Sequence, residues 1–258
     1  MKGFILDDDK RMKYTELELI KNNAIIYDSL SMPEKLDFIF LGINGISSNR
    51  ICYNGNYTKL LDNAFFNRLN KETVIYTGKS NETLKKLQHI FHFKLVTLLE
   101  DENVVKENAK LTAEGLISEI IQKRPYPIEN SQVVLIGFGH CGKEIHEKLT
   151  ALNAKVKVVE PNNEQIDRAV DLVKIEEILS KTTNIIINTV PQEVISDEML
   201  EKLSKDVYLF DIASYPYGYH HEKVYGLHDY ILPALPSSYA YKQAGIILAQ
   251  KIVGDYSA

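Results

Sequence analysis

Apolar and polar positions along this chain fall into repeating blocks. Short unbroken apolar runs are followed by stretches with helical spacing. In the first half the runs "GFIL" (3–6), "AIIYD" (24–28), "DFIFLGI" (37–43), "TVIYTG" (73–78) and "KLVTLL" (94–99) predict strands. Residues 11–22, 56–69 and 80–91 predict helices; in 56–69 the apolar set is Leu60, Leu61, Ala64, Phe65 and Leu69. Strands that alternate with helices imply a parallel sheet with helices packed on it.

A longer helix is predicted over 103–122, with Leu111, Leu116, Ile117, Ile120 and Ile121 as its apolar set. The stretch "RPYP" (124–127) ends it, because two prolines make a stiff turn. The alternation then starts again. Strands are predicted at 132–138, 155–160, 184–190 and 207–213, and helices at 142–152, 163–169 and 197–204. The segments 223–227 and 229–235 are expected to add one or two edge strands. Residues 240–257 read as a helix with Ala244, Ile246, Ile247, Ala249 and Ile252 on its apolar side.

This pattern divides the chain. Residues 1–102 form a smaller, flavodoxin-like α/β domain on the substrate side, and 103–127 an inter-domain helix and linker. Residues 128–239, which carry Gly137-x-Gly139-x-x-Gly142 between a predicted strand and a predicted helix, are expected to form a Rossmann dinucleotide-binding domain, and 240–258 a last helix expected to pack back toward the N-terminal domain. The fold class is α/β.

Composition narrows the function. Of 258 residues, 45% are hydrophobic and 25% charged, which suits a globular protein with a sizeable core. The formal net charge of −5, with lysines interleaved among acids, argues against nucleic acid or an acidic membrane surface as partner. The two cysteines, Cys52 and Cys141, lack metal-ligand spacing, and no metal is expected. The apolar run at the start is too short for a signal peptide, and no run reaches membrane-spanning length. A reducing, cytoplasmic setting is expected.

The stretch "VVLIGFGHCGKEI" (133–145) carries the chemistry. Gly137, Gly139 and Gly142 form G-x-G-x-x-G, weak alone, but here set between a predicted strand and a predicted helix. Gly137 lets the chain turn off the strand, Gly139 lets backbone approach a pyrophosphate, and Gly142 lets the helix pack on the sheet. The helix N-terminus offers N–H groups and partial positive charge to phosphates. Glu160 ends the next strand, where a carboxylate accepts ribose hydroxyls and repels a 2′-phosphate, so NAD is expected over NADP. Sites for other nucleotides, such as S-adenosylmethionine, use similar loops. Ligands of such sheets bind beyond the carboxyl ends of the strands. Phe138, His140 and Cys141 within the loop, and Thr189, Val190, Pro191 and Ala213 at later strand ends, complete the expected cofactor-binding set. Cys141, at a helix N-terminus, is a candidate for a lowered pKa.

These motifs resemble the A subunit of dipicolinate synthase, an oxidoreductase family of spore-forming bacteria related in architecture to D-2-hydroxyacid dehydrogenases. The resemblance lies in Thr112-Ala113-Glu114-Gly115 on the long helix, in "NSQVVLIGFGHCG", in "NIIINTVPQEVISDEML" and "VYLFDIASYPYG", and in "LPALPSSYAYKQAGIILAQKI". The front domain matches in pattern only. It implies an NAD(P)-dependent enzyme that oxidises a dihydro- or tetrahydro-dipicolinate-type cyclic dicarboxylate. It also implies a partner, the second synthase subunit, and sporulation as the setting. Where the family has A-S-x-P-G-G, this chain has Ala213-Ser214-Tyr215-Pro216-Tyr217-Gly218; where it has P-G-L-P-G, this chain has Pro233-Ala234-Leu235-Pro236-Ser237. The substrate therefore does not carry over directly. A 2-hydroxyacid dehydrogenase and a weakly catalytic NAD-binding sensor or partner subunit stay open as alternatives.

Glu114 and Ser214 are the candidate catalytic residues: Glu114 as acid/base on the matched helix, Ser214 at a strand's carboxyl end. Asn44, Arg50, Gly115 and Ser237 are the candidate substrate-binding residues, with Arg50 as a carboxylate holder. The substrate is expected to be small and anionic, and the protein a homo-oligomer.

Overall fold

In the computed structural model, residues 1–6, 9–27, 35–54, 57–67, 69, 71–160, 171–224 and 226–257 are described. The chain forms two compact units of nearly equal length, one of residues 1–108 with 240–258, the other of 109–239.

The first unit is built on β1 (Lys2–Ile5), β2 (Ile25–Tyr27), β3 (Phe38–Phe40), β6 (Val74–Thr77) and β7 (Lys94–Thr97). All neighbours are parallel and the order is β2-β1-β3-β6-β7. Counted within the sheet this is 2-1-3-4-5, the flavodoxin-like doubly wound order. Phe4, Ile39, Leu41 and Ile75 bury one face against Phe65, Phe66, Leu84 and Leu87 of α2 (Asn63–Asn67) and α3 (Glu82–Phe91). Against the other side lie α1 (Lys10–Lys21) and α8 (Tyr241–Ser257). These two helices approach closely: a Cβ on Gly245 would lie 2.4 Å from the Arg11 carbonyl oxygen. The Thr15 hydroxyl donates to the Gly245 carbonyl at 3.1 Å.

Two expectations fail in this unit. Residues 56–69 do not form one helix. Tyr57–Leu60 is a strand, β5, paired antiparallel with β4 (Ile51–Asn54), and only Asn63–Asn67 is helical. The helical spacing arose because Leu61, Phe65 and Phe66 reach one core from two different elements, while Leu60 stays 61% exposed. The predicted strand 94–99 stops at Thr97 and turns into a short 3₁₀ segment over Leu98–Glu100.

The second unit is built on β8 (Gln132–Ile136), β9 (Lys155–Val159), β10 (Asp171–Leu172), β11 (Ile185–Asn188), β12 (Tyr208–Asp211) and β13 (His228–Ile231). The order is β10-β9-β8-β11-β12-β13, parallel throughout, which within the sheet is 3-2-1-4-5-6. Its central strands β8, β11 and β12 bury both faces, which is why they read as continuous apolar runs. Val133, Leu135, Ile185, Ile187 and Phe210 face Ala113, Leu116 and Ile120 of α4 (Glu102–Lys123) and Ile145 and Leu149 of α5 (His140–Ala151). Val134, Ile136, Ile186 and Leu209 face Leu200 of α6 (Asp197–Lys202).

The helix predicted over 163–169 lies outside the described residues. The edge strand predicted over 223–227 is not formed. Its Val224 and Leu227 pack on the sheet's core from a 3₁₀ turn and a loop, so their apolar character reflects burial rather than pairing. Among the described residues no helix is long and apolar enough to cross a membrane.

Candidate functional site

In a 3-2-1-4-5-6 sheet the connections leave in opposite directions from β8 and β11, and the crevice beyond their carboxyl ends is the natural ligand site. The glycine loop sits there. Gly137 leaves β8 with φ +93°, in the left-handed region that suits glycine. Its N–H donates to the Val159 carbonyl at 2.8 Å, which ties the turn to β9. A Cβ on it would lie 2.3 Å from Thr189 Oγ1 and 2.8 Å from a Val190 methyl. The loop and the end of β11 are thus in van der Waals contact. A Cβ on Gly142 would lie 2.2 Å from the Gly137 carbonyl oxygen, so α5 packs where only glycine fits.

Gly139 is the N-cap of α5 and offers no side-chain acceptor to the first turn. Five other helices differ. Asp9, Asp62, Asn81 and Ser196 each accept a first-turn N–H of α1, α2, α3 and α6, and Asp101 accepts from Asn103 and Val104 of α4. The α5 N-terminus carries positive partial charge, and its cap position supplies no side chain to meet it, as an anion-binding turn requires.

Glu160 follows β9 and reaches back to the loop. Its Oε2 accepts the Phe138 N–H at 2.5 Å, which sets the carboxylate beside the glycine turn. The Phe138 ring is fully buried against the sheet, so this residue faces the crevice through its backbone alone. His140 is exposed on the first turn of α5. Cys141 is a free thiol whose pKa is raised, because burial outweighs its bond with Thr112. This corrects the expectation of a lowered pKa at the helix N-terminus. Pro191 is exposed just beyond Val190.

Ala213 and Ser214 follow β12, and a buried polar network holds them. Asp211 is fully buried. It accepts the N–H groups of Ala213 at 2.9 Å and Gly218 at 2.8 Å, and the Asn188 amide at 3.0 Å. Asn188 in turn binds both the N–H and the carbonyl of Val190, at 3.1 and 2.9 Å. His221 extends the network, with Nε2 at 3.4 Å from Asp211 and Nδ1 at 2.7 Å from Asp229. Tyr219 donates to Asp229 at 2.7 Å, and its own pKa is raised, chiefly by burial and then by the charge of Asp229. Sequence reading missed Asn188, Asp211 and Asp229. The signal present was that β11 and β12 each end an apolar run on a polar residue, Asn188 and Asp211.

The remaining candidates lie on separate elements. Glu114 is exposed on α4 and pairs with Lys148 of α5 at 3.4 Å. Gly115 packs on α7 (Leu235–Tyr239), where a Cβ would lie 3.2 Å from Leu235 and 3.3 Å from the Tyr239 ring. Ser237 lies on α7 and donates to the Ala234 carbonyl at 2.8 Å. Ser214 is exposed, and its carbonyl accepts the Tyr217 N–H at 3.0 Å. Asn44 and Arg50 belong to the first unit, beyond β3. Asn44 is exposed, and Arg50 Nη1 donates to Asn63 at 2.6 Å. A groove of about 610 Å³ in that unit, lined by Asp37, Glu72, Lys94 and Tyr256, lies toward the amino ends of β3, β6 and β7 and away from these loops.

Residues 95–214 match the family described as D-isomer specific 2-hydroxyacid dehydrogenase, NAD binding domain. Over 226 residues the chain is 28% identical to the A subunit of dipicolinate synthase from Bacillus subtilis, covering 84% of this chain and 76% of that protein. The crystal structure of the dipicolinate synthase A subunit from Bacillus halodurans superposes with a TM-score of 0.89 at 24% identity, covering 100% of this chain and 98% of that one. An NAD-dependent formate dehydrogenase from Staphylococcus aureus, solved with NAD, shares the fold at a TM-score of 0.61 and 12% identity, covering 100% and 95%. The chain is thus similar along most of its length to the A subunit of dipicolinate synthase, and its residues 95–214 to the NAD binding domain of the D-isomer specific 2-hydroxyacid dehydrogenases.

Proposed function

We propose that this chain is an NAD-dependent oxidoreductase that oxidises a cyclic dicarboxylate of the dihydro- or tetrahydro-dipicolinate type. One observation carries the reading: the helix that follows the glycine loop, at the switch point of a Rossmann sheet, begins without a side-chain cap. The residues present fit a dinucleotide. Gly137 and Gly142 allow the close packing that shapes the loop, and Glu160 is anchored beside it.

When bound, a nicotinamide supplies a hydride acceptor. The protein's part is to bind and orient. The loop Gly137–Gly142, including the backbone of Phe138, His140 and Cys141, would hold the pyrophosphate. Glu160 would accept ribose hydroxyls and disfavour a 2′-phosphate. Thr189, Val190, Pro191 and Ala213 would line the nicotinamide side, held by Asn188 and Asp211. Ser214 would meet the substrate from the loop after β12, and Glu114 would serve as acid/base once released from Lys148. Gly115 and Ser237 would complete the substrate's surroundings. The relative, itself one part of a synthase, supports a second synthase subunit in the role of partner.

A second reading, an NAD-binding partner subunit with little turnover of its own, draws on one observation: Glu114 is engaged in an ion pair. Reduction of NAD is followed at 340 nm with a panel of cyclic dicarboxylates and open-chain 2-hydroxy acids. Turnover restricted to the cyclic compounds is the expected result. Turnover of 2-hydroxy acids alone overturns the substrate assignment, and tight NAD binding with no turnover favours the second reading.

A further inference from the structure

We propose that Tyr217 is a specificity-determining residue, selecting a flat, ring-bearing anion over an open-chain one. This rests on the oxidoreductase reading above and narrows its substrate class. Tyr217 lies on the loop that leaves β12, just past Ser214. Its φ is +71°, in the left-handed region where a bulky side chain is disfavoured and glycine is at ease. Such a residue persists only where its surroundings over-determine it, and such places cluster at ligand-binding loops.

The surroundings here do so. One buried carboxylate, Asp211, holds the chain on both sides of the tyrosine, through the N–H groups of Ala213 and Gly218. The Tyr217 ring stands perpendicular to His221, with centroids 5.2 Å apart. His221 is itself fixed at 2.7 Å from Asp229. Tyr217 also meets Tyr215 at 5.9 Å and 85°, and Tyr215 is 83% exposed. The loop therefore presents rigid aromatic surface beside the carboxyl end of β12. Glycine would meet the backbone requirement with less strain, so the ring must be kept for what it touches. Aromatic surface gains more from a flat ring than from a flexible chain, and a phenol hydroxyl can donate to a carboxylate.

The test uses full-length wild type, Tyr217→Gly and Tyr217→Asn, since asparagine also tolerates the left-handed region. Calorimetry on the NADH-saturated protein measures pyridine-2,6-dicarboxylate as the flat probe and glutarate as the open-chain probe. Thermal unfolding is followed in parallel. We expect NADH affinity within twofold of wild type and an unchanged or higher Tm. The flat probe should bind at least tenfold more weakly, with glutarate changed less than threefold. Rings kept only for structure would lower Tm and leave the ratio of the two probes unchanged. That unchanged ratio, or a wild type that binds NADH but not the flat probe, overturns the proposal. Failure of the wild type to bind NADH is the separate outcome that removes the oxidoreductase reading itself, and this proposal with it.

Discussion

The two parallel sheets end in loops of opposite character. At the carboxyl ends of the first, Gly45 and Gly78 are wedged among Lys79, Thr77 and Ile43, and Asn81 accepts the Leu84 N–H and so closes the N-terminus of α3. At the carboxyl ends of the second, the loop is just as tightly packed around Gly137 and Gly142, yet α5 opens on Gly139 with no side-chain cap to close it. Both sheets are doubly wound, so architecture alone would allow either to hold a phosphate. The caps decide between them. A side-chain cap satisfies the N–H groups and meets the dipole that an anion would otherwise use.

The largest effects should come from the packing that both loops share. Gly142→Ala forces a Cβ to 2.2 Å from a backbone oxygen. It should cost about 3 kcal/mol in urea unfolding and remove cofactor binding with it. Gly45→Ala, with φ +63° and a Cβ at 2.7 Å from Lys79 O, should cost about 2 kcal/mol and leave cofactor binding intact. Equal loss of binding in both would break the comparison.

Next comes Asp211→Asn. The amide can replace one acceptor of the carboxylate but turns an N–H toward the donors of Ala213, Gly218 or Asn188. A loss of about 2 kcal/mol is expected from thermal or urea unfolding. The loop after β12 should then show faster amide exchange at Gly218.

How much of this was legible in the chain follows from the same physics. The central strands of both sheets were readable because they are buried on both faces and leave unbroken apolar runs, whereas the short exposed edge strand Asp171–Leu172 leaves none and was missed. The glycine loop was readable because its spacing reflects backbone needs that only glycine meets. The β4–β5 hairpin was not, although Asn54-Gly55 is a hairpin signal, because Leu60, Leu61, Phe65 and Leu69 happen to fall at helical spacing. The Asp211–His221–Asp229 network was hidden for another reason. It depends on β12 and β13 being parallel neighbours, with Leu209 paired to Asp229, which local pattern does not state. The Cys141 pKa was misjudged because a helix N-terminus lowers it only where water or charge can reach the thiolate, and this thiol is buried.

Smaller effects sharpen the account. Glu160→Ala should narrow the preference for NAD over NADP by about tenfold, roughly 1.4 kcal/mol, measured as the ratio of the two dissociation constants. Glu160→Gln should retain more of the Phe138 contact than alanine does. Asp101→Ala removes a cap from α4 and should cost about 1 kcal/mol near neutral pH. Burial pushes the Asp101 carboxyl up, but the Val104 N–H, Lys251 and the Asn103 N–H together hold it below the usual range. Its contribution is therefore complete above the ordinary aspartate value and is lost as pH falls through the lowered folded value. The wild type and Asp101→Ala should converge in stability on acidification.

The most direct test is calorimetric titration of NADH into wild type and Gly139→Val. Gly139 has φ −69° and ψ −161°, an extended backbone that valine adopts freely, so the sheet should stay intact. A side chain there should block the pyrophosphate from the open end of α5. The account predicts tight binding by the wild type, at least hundredfold weaker binding by Gly139→Val, and matching unfolding curves. Undiminished binding by Gly139→Val would contradict it.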